Sequence, residues 1–171
     1  MRKFPLINRF LHKSLSAGLA TAAAAMLLLI AADGPGAGLE ARQQGAVVVA
    51  WRKLRELNYQ TGKMSADIKR LNGKLVKIPG FMVPLEDEQD AVSEFLLVPY
   101  PQACIHVPAP PPNQIVHVKM KRGKKAKVYY YEPIWIFGDL KIEKASRIYA
   151  ESSYTLDGYK SEICAETFEE Y

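Results

Sequence analysis

The apolar positions along this chain change their period, and each change marks an element. Val47, Ala50, Trp51, Leu54 and Leu57 recur at steps of three and four residues. That spacing lines one face of a helix and predicts an amphipathic helix over 46–58, with Arg52, Lys53, Arg55 and Glu56 on its wet side. Asn58 to Gly62 ends it, and Ser65 can cap a second short turn over 65–70. Beyond Leu71-Asn72-Gly73 the period becomes two. Leu75 to Val83 reads as a strand that is apolar on both faces, Phe95 to Val98 as a short buried strand, and Ile115 to Met120 as another. Lys121 to Lys127 forms a turn about Gly123, so Val128 to Tyr131 is expected to fold back on the preceding strand as a hairpin. Ile134 to Ile142 is the longest strand and Ile148 to Leu156 the last, with a turn at Asp157-Gly158.

Five or six short strands, mostly sequential, define a mainly β chain. Gly80 and Gly138 fall inside two of the longest strands, where glycine marks a bend or a bulge. Bent strands with short connections suit closure. The expected fold is therefore a small five- or six-stranded barrel, similar to the oligonucleotide/oligosaccharide-binding (OB) type, with one N-terminal amphipathic helix. That fold type usually carries a helix between its third and fourth strands. Here the 121–127 hairpin stands in that position.

The N-terminus reads differently. Arg2, Lys3, Arg9 and Lys13 precede an uncharged run from Ser14 to Ala32, followed by small residues. This is the secretory pattern, and it assigns 1–38 to a signal peptide, 39–45 to a linker and 46–171 to one domain. The export expected is to the periplasm. The apolar run is about as long as a membrane span, so an uncleaved anchor is the alternative. The leader also changes the charge. The whole chain has 23 basic and 18 acidic residues, net +5; without residues 1–38 it has 19 against 17, net +2. Basicity is therefore poor support for a nucleic-acid partner. About 130 residues remain, enough to bury a core without a disulfide.

Chemistry concentrates in one loop, Cys104-Ile-His-Val-Pro-Ala-Pro-Pro-Pro-Asn-Gln114. Cys104 and His106 are two apart, so in an extended chain they point to the same side. With His117 as a third ligand they could hold zinc or copper. Cys104 could equally be a small buried hydrophobe or half of a disulfide with Cys164. A third reading makes Cys104 a nucleophile with His106 or His117 as its base. No nucleophile elbow, phosphate loop or paired-histidine metalloprotease motif occurs in the chain. Pro108 to Pro112 reads as a rigid spacer, and Asn113 and Gln114 as residues that satisfy backbone groups where the loop rejoins the sheet. Cys164 lies in an acidic tail with few expected contacts, so Cys104 is the cysteine expected to matter.

The motifs Leu71-Asn-Gly-Lys-Leu-Val-Lys-Ile-Pro-Gly-Phe-Met-Val-Pro-Leu85, Phe95-Leu-Leu-Val-Pro99, Cys104-Ile-His106, Pro110-Pro-Pro-Asn-Gln114 and Pro133-Ile-Trp-Ile-Phe-Gly-Asp-Leu140 resemble a bacterial exported family, domain of unknown function 3299. The resemblance covers about residues 50–157. It implies an exported domain without an assigned reaction, whose relatives often stand beside transporter components, some linked to metal supply. The family motif maps onto Cys104, His106, Asn113 and Gln114 as a ligand-binding loop. Cys164 lies outside that motif, so the resemblance gives no support to a Cys104–Cys164 disulfide as a family trait and leaves the pairing open.

The expectation that follows is a non-enzymatic exported binding or accessory module of an envelope or transport system. A soft-metal protein and a thiol-dependent enzyme are the alternatives. The partner expected is an envelope transporter or a membrane-associated protein. Lys121, Arg122, Lys124, Lys125 and Lys127 offer contact with a membrane surface.

Overall fold

The computed structural model describes residues 45–86, 90–101, 109–146 and 150–165. The leader assigned to 1–38, most of the linker, and Cys104 and His106 lie outside the described residues. Among the described residues no helix is long and apolar enough to cross a membrane.

The strands β1 (Val47–Val48), β2 (Leu75–Pro84), β3 (Ala91–Val92), β4 (Glu94–Val98), β5 (Val116–Met120), β6 (Ala126–Lys127), β7 (Ile134–Ser146) and β8 (Glu151–Ile163) follow in chain order. Two short helices, α1 (Trp51–Leu54) and α2 (Ala66–Leu71), precede β2. Five strands close a ring of pairings, β2-β4-β5-β8-β7 and back to β2. All neighbours in it are antiparallel except β5 and β8, which run parallel.

The alternation of side chains explains why these strands are apolar on both faces. Val76, Ile78, Met82, Phe95, Leu97, Val116, Val118, Ile134, Ile136, Leu140, Tyr154 and Leu156 come from every strand of the ring and share one core. The intervening residues Phe81, Leu96, Val98 and Ile115 form a second cluster on the outer face. Trp135 and Phe137 form a third, with Cys164.

Both mid-strand glycines mark changes of course. At Gly80 the pairing of β2 passes from β7 to β4. At Gly138 the β7–β8 register shifts, leaving Tyr159 as the extra residue. A Cβ on Gly138 would lie 2.6 Å from the Asp157 carbonyl oxygen, so the backbones meet there as only glycine allows.

Four local expectations need correction. The helix over 46–58 is a single turn, because the β-branched Val47 and Val48 pair in parallel with Val76 and Lys77 of β2. Trp51, Leu54 and Leu57 still enter the core, and the Trp51 indole donates to the Pro79 carbonyl at 2.6 Å. The segment after Gly123 does not pair with the strand before it: β6 joins β3 instead. The last strand runs through Asp157-Gly158 without turning. Cys164 is not a loosely held tail residue; it is 5% exposed and its amide donates to the Pro133 carbonyl. The short turn at 65–70 is α2, with Ser65 accepting from the Ile68 amide as its cap.

Candidate functional site

Because β5 and β8 are parallel, the chain enters both from the same end of the ring. The connector between β4 and β5, which carries the Cys104/His106 motif in sequence, returns at that end through a 3-10 turn, Pro112–Gln114. Proline at the first position of this turn fixes its φ. The turn leaves Asn113 buried, and its Nδ2 donates to the carbonyls of Leu57 at 2.8 Å and Arg55 at 3.3 Å. The expectation that Asn113 satisfies backbone groups thus holds, with the groups coming from the segment after α1. Gln114 is half-buried, and its amide closes the turn on the Pro111 carbonyl at 2.8 Å.

A cavity of about 210 Å³ opens beside this turn. Tyr59 and Pro112 wall one side; Lys144 and Ala145 of β7 and Glu151, Ser152 and Ser153 of β8 complete it. Ser152 and Ser153 are 3% and 2% exposed. The hydroxyl oxygens of both, and Oδ1 of the adjoining Asn113, have no hydrogen-bond partner among the described residues. A buried polar group left unpaired costs about 1–3 kcal/mol. Two of the lining residues, Ser152 and Ser153, thus bring buried polar groups to this end of the ring, one from each face of β8, and a ligand with matching groups would complete them.

His117 lies elsewhere. It sits on the outer face opposite Leu96 and Thr155, is 1% exposed, and places Nε2 at 2.6 Å from a Glu94 carboxylate oxygen. Lys119 reaches the same oxygen at 3.9 Å. Among the described residues no group of three or more His, Cys, Asp and Glu could hold a metal ion.

The basic segment Lys121–Lys127 turns at Arg122-Gly123, both left-handed, with the Lys124 amide on the Lys121 carbonyl. Its charge is partly met by the protein itself. Lys121 and Lys141 bind Asp157 at 2.7 and 3.0 Å. Burial opposes the Asp157 charge, but these two lysines outweigh it and hold the carboxyl below its ordinary range. The β3–β6 pairing brings Asp90 alongside, and the Val128 amide donates to its carbonyl. Hydrogen bonds from the Ser93 hydroxyl and amide lower the pKa of Glu86, and Lys125 adds to the effect.

Sequence reasoning missed Tyr59, Lys144, Glu151, Ser152 and Ser153. One signal was available: two adjacent serines stand just before Tyr154 and Leu156, which are core residues. Their cavity depends on the parallel entry of β5 and β8, which local periodicity does not encode.

A family model described as "Protein of unknown function (DUF3299)" matches residues 36–163. A crystal structure of a DUF3299 family protein from Pseudomonas aeruginosa PAO1 is similar to the chain, with a TM-score of 0.59 and 32% identity. The match covers 72% of this chain and 99% of that one. No curated protein matches the chain.

Proposed function

This chain belongs to the DUF3299 family, and from its site we propose that it is a non-enzymatic binding module that seats a small polar ligand beside the Pro112–Gln114 turn. The ring reads as a small barrel of the OB-like type: its long strands close in the order first, second, third, fifth, fourth, with the third and fifth parallel. Ligands of such folds bind at the mouth, on loops held by a rigid frame. The observation that carries the reading is that Ser152 and Ser153, two residues lining the cavity, have buried hydroxyls without a partner among the described residues. The basic N-terminus and apolar run add the second half of the proposal: the module is exported and serves as an accessory to an envelope or transport system.

Native and denaturing mass spectrometry of the purified protein tests this reading. The expected result is a non-covalent small-molecule adduct that is lost on denaturation and absent from a Ser152→Val, Ser153→Val double variant that retains its fold. An adduct with the mass of zinc or copper would favour the metal-binding alternative through Cys104, His106 and His117 instead. No adduct after exposure to a mixed pool of metabolites would contradict both.

A further inference from the structure

We infer that the cavity takes a small zwitterion of the α-amino-acid class, with Lys144 on its carboxylate and Glu151 on its ammonium group. This inference rests on the binding reading above and adds the chemistry of the ligand. β7 and β8 are antiparallel here, with Ala145 opposite Ser152 and Ser146 opposite Glu151. Lys144 and Glu151 therefore stand at the same rim, one from each strand, and both line the cavity. Both are exposed, and neither makes an ion pair with any described residue. Two other lysines of these strands are matched: Lys141 meets Asp157, and Lys160 meets Glu162 at 2.6 Å.

A cavity with one cation and one anion at its rim complements a ligand that carries both charges. A simple anion or cation would engage only one of the two. The Ser153 hydroxyl leaves β8 on the same face as Glu151 and can both donate and accept, so it can complete the hydrogen bonds of a carboxylate or an ammonium group. Tyr59 and Pro112 offer an apolar wall for a side chain. The volume sets the size. At about 210 Å³ the cavity lies below the range of roughly 300–1,000 Å³ typical of drug-sized ligands, which suits a single amino acid rather than a peptide.

The test is isothermal titration of the purified full chain with glycine, alanine, serine, leucine, aspartate and lysine. Their N-acetyl and amide derivatives, and glucose, serve as controls. At least one free amino acid should bind, and blocking either charged group should weaken it at least tenfold. Lys144→Met should weaken the free amino acid at least tenfold while leaving its amide unchanged, since the amide has no carboxylate to lose. Glu151→Gln should do the same for the free amino acid while leaving the N-acetyl derivative unchanged. Both residues are exposed, so neither change threatens the fold. Equal binding of free and blocked forms, or no binding of any of the six, would overturn the inference. Glucose binding that is lost in Ser152→Val would overturn the zwitterion while leaving the cavity as the binding site.

Discussion

Asp157 shows how a single carboxylate ties the basic turn at Lys121–Lys127 to the ring. Its side chain is mostly buried, and the two lysines that hold it are about half exposed, at 45% and 47%. Exposure on that side keeps the pair modest, on the order of 1 kcal/mol. The lowered pKa fixes the sign of its pH dependence. A carboxyl that is more acidic in the folded chain than in the unfolded one, where it titrates near 3.8, stabilises the fold above that value. The contribution is lost as the pH falls below 3.8 and through the folded value. Asp157→Asn should therefore be less stable than the parent at pH 7, and the difference should shrink toward pH 3. Urea denaturation at pH 7, 5, 4 and 3 measures this; a difference that stays constant with pH would contradict it. Cys164 carries a second lesson at this scale. The acidic residues around it suggested a loose tail, whereas Trp135 and Phe137 bury it. Contacts across the sheet decided its environment, and those are not written in its sequence neighbours.

Among the elements, the strands were the legible part. Alternation with apolar residues on both faces located β2, β4 and β7, because each contributes to the inner core and to an outer cluster at once, while β5 alternates inner Val116 and Val118 with outer His117 and Lys119. The helix before them was over-read for a physical reason. Val47 fits the helical period, but it and Val48 gain more from pairing with β2. Partner choice was equally hidden: Ala126 and Lys127 pair with Ala91 and Val92 rather than with the strand just before them. Asn113 is the residue through which two irregular segments depend on each other. Its amide holds the Arg55 and Leu57 carbonyls, and it is buried, so its loss leaves those acceptors without their donor. Asn113→Ala should cost about 1–3 kcal/mol in chemical denaturation. It should also speed proteolysis at the exposed Gln60–Gly62 turn. Unchanged stability and unchanged cleavage would show that the turn does not anchor this segment.

At the scale of the whole molecule, ring closure is what makes the site. The parallel β5–β8 pairing brings the return of the β4–β5 connector and the start of β8 to one end, where Asn113, Ser152 and Ser153 gather. The sequence pointed to the connector through its proline and Asn113-Gln114 motif, and so found half of the site. The other half comes from β7 and β8, some 30–40 residues further along. The central claim is that ligand binds at this end, and not on the basic turn or beside His117. Protein-observed NMR during titration with the amino-acid set measures it most directly. The account predicts amide shift changes concentrated at Tyr59, Asn113, Lys144, Ala145 and Glu151 to Ser153, saturating with ligand. Changes confined to Lys121–Lys127 or to Glu94 and His117, with the cavity amides unmoved, would contradict it.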